Sequence, residues 1–372
     1  GYVYLRDAYG ALPAFLYGWA LLLVMATGAI AAVAVTFARY LAVLLALPGS
    51  TVLPVAIAAV ALLSTVNYLG VKPGAVTQNV FTLLKLAALA LLIGAGLLLG
   101  RSAAVAASSP APLPPSNVVL AVGAALVPVM FATGGWQQSN FIAEEIIEPE
   151  RNLPRALVIG VTVVVVVYLL ANLTYLRVLG APGLAASAAP AAAAMRAVLG
   201  PGGATAIAAG IAFSTFGFLN LVILVSPRVY QAMAADGAFF PGLARLHPRF
   251  RTPAAAIVFQ GVWAILLTLS GTYAQLLDYV VFGDWIFFGL VVSTLFVYRR
   301  REALERAPGG GPAAGYRAWG YPWTPALFVV AALYVVGSSV ASNPRNAAVG
   351  GLLLALGVPV FLFWRSRSAR KE

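Results

Sequence analysis

The 372 residues are 62% hydrophobic and only 9% charged, with no Cys, one His and a formal net charge of +12. A soluble domain carries roughly a quarter charged residues, so a water-soluble globular chain is excluded. The missing Cys removes disulfides, thiolate metal sites and Cys nucleophiles, a single His (His247) leaves no metal-ligand cluster, and no bound cofactor is expected.

Apolar runs near the ~20 residues needed to cross a bilayer recur from end to end, and predict an all-α polytopic membrane protein of about ten spans. The chain begins at Gly1 rather than Met, with no cleavable signal peptide, and a missing upstream segment is expected. The first run, Leu12 to Leu45, exceeds a perpendicular crossing and predicts a tilted helix; the Arg39 stem snorkels to an interface or serves an ion path. Runs two and three cover Thr51 to Leu69 and Ala75 to Leu99, and the Pro- and Ala-rich stretch Ser108 to Ser116 predicts a loop. The fourth run, Val118 to Glu144, is interrupted at Thr133-Gly134-Gly135-Trp136; the fifth covers Leu157 to Leu179, with an Ala-rich loop or surface helix over Ala185 to Leu199. Gly203 to Val225, Ala254 to Leu269 and Leu276 to Tyr298 follow, then an Arg-rich loop with Gly309-Gly310-Gly311, then Pro325 to Val340 and Ala347 to Trp364. One membrane domain over residues 1–372 is expected.

Basic loops stay cytoplasmic. With residue 1 inside, the outer side receives only Arg101, Arg177, Arg196 and Arg345; Arg39 and Lys85 fall within spans, and all other Lys and Arg lie inside. Both ends of the chain are therefore expected in the cytoplasm, and the bilayer accounts for the basic excess without a nucleic-acid partner.

An apolar helix needs no explanation in lipid, but a polar break at mid-membrane depth does, because unpaired backbone groups there cost several kcal/mol each. Gly134 and Gly135 offer nothing to brace a helix, Pro128 removes a donor upstream, and Gln137, Gln138, Ser139 and Asn140 follow as a polar cluster. Two half-helices with an unwound joint fit. Carbonyls freed at the first end attract an ammonium and amides freed at the second a carboxylate, so a broken helix suits a zwitterion. A glycine-lined helix crossing is the other reading of the same residues. Lys85 lies more than two turns from either interface, which predicts an interior cation. Asp284 is the only acid well inside a span, and either a hydrogen-bonded carboxylate or a proton-coupling group accounts for it. Glu144, Glu145, Glu148 and Glu150 meet Arg151 and Arg155 where the fourth run ends, as a solvated charge run or as a cytoplasmic gate or helix-end pairing.

The segment Phe131-Ala132-Thr133-Gly134-Gly135-Trp136-Gln137-Gln138-Ser139-Asn140-Phe141-Ile142-Ala143-Glu144-Glu145, with Pro149-Glu150-Arg151-Asn152-Leu153-Pro154, resembles the sixth-helix signature of the L-type amino-acid transporters. That family lies in the amino acid, polyamine and organocation superfamily. Tyr4-Leu5-Arg6 with Leu12-Pro13-Ala14-Phe15-Leu16 resembles the approach to its helix three, and Asn79 to Leu86 its helix five. Ser214 to Asn220 resembles helix eight, and His247-Pro248 with Thr252-Pro253 the start of helix nine.

The resemblance implies a fold of two inverted five-helix repeats plus two helices, with family helices three to twelve present and helices one and two absent. It implies a secondary transporter, a permease or antiporter of the plasma or inner membrane that moves amino acids by alternating access. The backbone at Phe131, Thr133 and Gly134, beside Gly135, would hold the substrate amine, and Phe131 would close over the ligand. Asn220 and Trp136 would line or buttress the side-chain pocket. Lys85, near Ser214 and Thr215, would stand where sodium-driven relatives hold an ion, which implies transport without sodium. Animal members join a heavy chain through a cysteine, but the corresponding loop reads Leu47-Pro48-Gly49-Ser50-Thr51, so no disulfide-linked partner is expected. With part of the expected substrate cradle absent, the chain as it stands is not expected to transport. A polyamine or organic-cation transporter would place acids in the pocket, and none occurs between Val118 and Phe141. A non-transporting fragment is the remaining alternative; nothing in the sequence supplies an enzyme's nucleophile with its base.

Overall fold

The computed structural model describes residues 1–100, 118–187, 189–270, 273–305 and 318–368. No strand occurs among them, and eight helices are long and apolar enough to cross a membrane, with two shorter apolar helices besides. The loop expected at Ser108 to Ser116 and the Gly309-Gly310-Gly311 stretch lie outside the described residues.

A short helix, α1 (Tyr2–Tyr9), precedes a 34-residue run from Ala11 to Leu44. That run is not uniform: α2 (Ala11–Ala20) and α3 (Ala26–Leu44) are joined by a π-helical turn at Leu21–Met25. A π turn strands backbone carbonyls. Here the Thr27 hydroxyl donates to the Leu22 carbonyl at 2.6 Å and the Trp263 indole N–H to the Leu23 carbonyl at 3.0 Å.

Next come α4 (Val52–Tyr68), α5 (Val71–Leu98) and α6 (Val118–Ala132). Helix α7 (Pro149–Ala186) is interrupted at Gly180 (φ 69, ψ 167) and α8 (Pro190–Ala235) at Gly200 (φ 70, ψ −160), so the Ala-rich stretch before residue 200 is a separate helical segment set off by a kink, in keeping with the helix expected there. Both start on proline, whose missing N–H costs nothing in a first turn. Val163 to Val167 in α7 would favour a strand in water. Most of that helix is exposed. In hydrocarbon the backbone must satisfy itself locally, and helix wins over side-chain preference.

The chain continues through α9 (Ala254–Ser270), α10 (Tyr273–Glu305) and α11 (Trp323–Ser342). The last apolar run is one span-length stretch, Pro344–Trp364, that a turn at Leu356 divides into α12 (Pro344–Ala355) and α13 (Gly357–Ser368). Pro359 cannot donate to the Ala355 carbonyl and its ring crowds that group, which breaks the helix just before it.

Two compact units form. Unit 1 comprises residues 1–32, 115–154 and 225–372. One of its cores joins Val281, Trp285 and Phe288 of α10 to Ala332 and Val335 of α11. Around Phe15 a second aromatic group gathers, with Trp19, Phe239 and Phe361 at ring distances of 6.0, 6.2 and 5.5 Å. Unit 2 comprises residues 33–114 and 155–224, and its core is Leu92, Ala95, Ala171, Met195 and Ile207.

Candidate functional site

The interruption in the fourth apolar run is real at the level of the backbone. Helix α6 stops at Ala132, and the Thr133 amide closes its last turn on the Val129 carbonyl at 3.0 Å. The Thr133 hydroxyl donates to the Val129 and Met130 carbonyls at 3.0 and 3.3 Å, which caps the first half-helix. Gly135 then takes φ 106 and ψ −20, a left-handed conformation that glycine reaches without Cβ strain. Its amide donates to the Gln137 side-chain oxygen at 2.9 Å, and its carbonyl accepts from the Gln138 amide at 3.0 Å. The second half, Trp136–Glu145, is a ten-residue 3-10 helix, far longer than the three or four residues usual for that geometry. Thr133 and Gly134 are exposed although they lie inside an apolar run.

Each half is held within unit 1. The Tyr334 hydroxyl donates to the Val119 carbonyl at 2.6 Å, which ties α6 to α11. Trp136 turns its ring to Phe288 and Phe328, with centroids 5.5 and 6.1 Å away. An indole placed one residue after a left-handed glycine thus fixes where the second half departs. Phe131 lies on the last turn of α6, but its side chain is outside the described residues, as are those of Glu144 and Glu145. Gln138 keeps a buried side-chain oxygen with no partner among the described residues.

Asp284 lies on α10 in the same unit, next to Trp285. Gly283 lies against Met25 of the π turn, where an added Cβ would come within 3.1 Å of the Met25 side chain. Arg151 pairs with Glu148 at 3.9 Å, both exposed, and Arg155 is exposed at the start of the second segment of unit 2.

Lys85, Ser214, Thr215 and Asn220 gather along one seam of unit 2. Gln78, Phe81, Lys85, Ala88 and Leu92 form the more buried stripe of α5, at the three- and four-residue spacing of one helix face. Helix α8 runs antiparallel to it: Gln78 meets Asn220, Phe81 meets Gly217 and Ala88 meets Gly210. At Gly210 an added Cβ would lie 2.4 Å from the Ala88 Cβ, so small residues set how closely the helices approach. This register places Lys85 level with Phe213 and Ser214. No hydrogen bond or ion pair to Lys85 occurs among the described residues, and the Thr215 hydroxyl is turned back onto the Ile211 and Ala212 carbonyls at 2.8 and 2.9 Å. Asn220 is fully buried, and its carboxamide engages Asn67 and Gln78.

Sequence reading passed over one cluster. In unit 1 the Tyr2 hydroxyl donates to Asp236 at 2.9 Å, and Arg6 forms an ion pair with the same carboxylate. Burial, reinforced by that carboxylate, pushes the Tyr2 hydroxyl above the usual tyrosine range. Arg301 donates to the Asp7 carbonyl at 2.8 Å, so α1 is fastened both to the end of α8 and to α10. Asp236 stood in the sequence as a lone loop acid, with no spacing to connect it to Arg6.

The family profile described as amino acid permease matches residues 1–363. The human b(0,+)-type amino acid transporter 1 is 32% identical over 97% of this chain and 73% of its own length. The serine/threonine exchanger SteT of Bacillus subtilis (strain 168) is 30% identical over 99% of this chain and 82% of its own. The human cystine/glutamate transporter is 26% identical over 98% of this chain and 72% of its own.

Proposed function

The chain belongs to the amino acid permease family, within the amino acid, polyamine and organocation superfamily, and from that premise we propose a sodium-independent exchanger of amino acids that works by alternating access. The protein is an integral membrane protein of the transporter class, not an enzyme. On this reading its runs are family helices three to twelve, both ends of the chain face the cytoplasm, and the membrane is the cell membrane.

The observation that carries the reading is the uncoiled, exposed joint at Thr133 to Gly135 between two half-helices. Peptide dipoles at such a joint grip a solute charged at both ends, with the carbonyl end of α6 toward the ammonium. Phe131, Thr133 and Gly134 hold the amine, Gly135 provides the turn, and Trp136 buttresses the side-chain pocket; Asn220, in unit 2, is proposed separately as a substrate-contacting residue. Lys85, near Ser214 and Thr215, supplies a fixed positive charge in place of a bound cation. Asp284 is the candidate for proton coupling, and Glu144, Glu145, Arg151 and Arg155 serve the cytoplasmic gate. Exchange is preferred over net transport because one relative bears the name of an exchanger. The lack of any Asp or Glu between Val118 and Phe141 favours a zwitterion over a polyamine.

The test is uptake of labelled amino acids by proteoliposomes of the full-length protein, with and without unlabelled amino acid inside and with sodium replaced by choline. Uptake that needs internal amino acid and ignores sodium is expected. Uptake of polyamines alone would overturn the substrate class, and a strict sodium requirement would overturn the ion assignment.

A further inference from the structure

After Asp236 the sequence holds no acid until Asp278, and the connection from α8 to α9, residues 237–253, carries Arg245, His247, Arg249 and Arg251. All three arginines are exposed, and none makes an ion pair or a side-chain hydrogen bond among the described residues. The protein leaves their charge uncompensated.

The segment that carries them is nonetheless tightly folded. The His247 amide donates to the Thr252 carbonyl at 2.8 Å, and the Arg251 amide to the His247 carbonyl at 2.9 Å. His247 Nδ1 accepts from the Arg249 and Phe250 amides at 3.3 and 3.2 Å. The imidazole stacks on the Phe250 ring at 4.7 Å, and the Arg249 guanidinium lies 5.4 Å from the centre of the same ring. Arg251 takes φ 56, a left-handed conformation that a residue with a Cβ enters only at a cost. Membrane sidedness needs positive charge in a loop but no fixed geometry for it. A left-handed arginine beside a stacked one goes further, and backbone strain of this kind gathers at positions with a task.

The same connection carries an apolar surface at the end of a membrane span. Phe240 meets Trp364, the last residue of the final apolar run, at 4.7 Å, and Phe259 of α9 at 5.9 Å. Phe240, Leu246, Phe259 and Phe363 are all exposed. A soluble anion would use the guanidinium groups and leave these side chains bare. A molecule with a phosphate at one end and acyl chains at the other uses both: aromatic rings are favoured at headgroup depth, and arginine meets phosphate through paired N–H donors.

We propose that this connection is a binding site for an anionic phospholipid, with Arg249 and Arg251, flanked by Arg245, on the headgroup phosphate and Phe240 and Leu246 against the first part of the acyl chains. His247 is a positioning residue that holds the loop in shape through Nδ1. The site lies outside the segments to which the transport reading assigns the amino acid, and it does not depend on that reading.

The measurement is the ratio of phosphatidylglycerol to phosphatidylcholine retained by the full-length protein from an equimolar mixture in detergent, read by native mass spectrometry. The parent is expected to favour phosphatidylglycerol by about tenfold or more. Arg249→Gln with Arg251→Gln should bring the ratio close to one, whereas Arg155→Gln with Arg300→Gln, the same loss of charge elsewhere, should leave it in place. His247→Asn keeps an acceptor near the position of Nδ1 and should preserve the ratio; His247→Leu has none and should lower it. An equal fall in the two double variants would reduce the effect to bulk charge and overturn the site. So would a parent without preference, or displacement of phosphatidylglycerol by inorganic phosphate or by a polyglutamate peptide, which would assign the loop to a soluble anion or an acidic partner. Binding is read with no amino acid present, so its failure leaves the transport reading standing, and failure of amino-acid uptake leaves the lipid site standing.

Discussion

Lys85 is the residue whose chemistry is most out of keeping with its surroundings. It occupies the packed stripe of α5 between Phe81 and Ala88, level with Ser214, with no hydrogen-bond or ion-pair partner among the described residues. An ammonium in that position is retained only where its charge has a use. If it replaces a bound cation, Lys85→Ala is expected to lower maximal uptake by roughly tenfold or more, and sodium should not restore it. Flux assays in sodium and in choline would check this, and a parent that depends on sodium before and after the substitution would refute it. The polar residues around it are directional in different ways. Thr215 satisfies itself on its own helix, whereas Asn220 reaches across to two others.

Among the elements, the helix broken between Ala132 and Trp136 is the one whose geometry matters most to the proposed chemistry, and Gly135 is its pivot. No atom lies within 4 Å of where a Cβ would stand, so an alanine there would meet backbone strain and no clash. Gly135→Ala is therefore expected to destabilise the folded state by about 1–2 kcal/mol. Asn tolerates left-handed backbone better, so Gly135→Asn should lose less stability and retain more uptake. Thermal unfolding in detergent together with initial uptake rates would check the order, and equal losses in the two variants would contradict it. Other element-level features have no sequence signature. The π turn at Leu21–Met25 lies in an unbroken apolar stretch, and its carbonyls are served by Thr27 nearby and by Trp263, 240 residues from Leu23 in sequence. The division of the last run into α12 and α13 follows from Pro359, which a hydropathy window averages away.

For the whole molecule, the charge asymmetry predicts sidedness that the absence of Cys makes easy to measure. Arg249 and Arg345 are both exposed and three apolar runs apart. In intact cells Arg345→Cys should react with an impermeant maleimide, and Arg249→Cys only after permeabilisation. Labelling of both from the same face would break the proposed count of crossings. Composition and hydropathy by themselves determined the class of the protein, because a 30 Å hydrocarbon slab imposes one helical length and one rule of backbone satisfaction on every run. They also located the joint at Gly134 and Gly135, since a polar gap in such a run has few physical explanations. Tertiary structure alone decided that Trp136 anchors the second half-helix, that Asp236 gathers Tyr2 and Arg6, and that Asn67 donates a hydrogen bond to Asn220. Those partners lie far apart in the chain, and a hydrogen bond or ring contact depends on distance and direction in space, which spacing along a sequence does not encode.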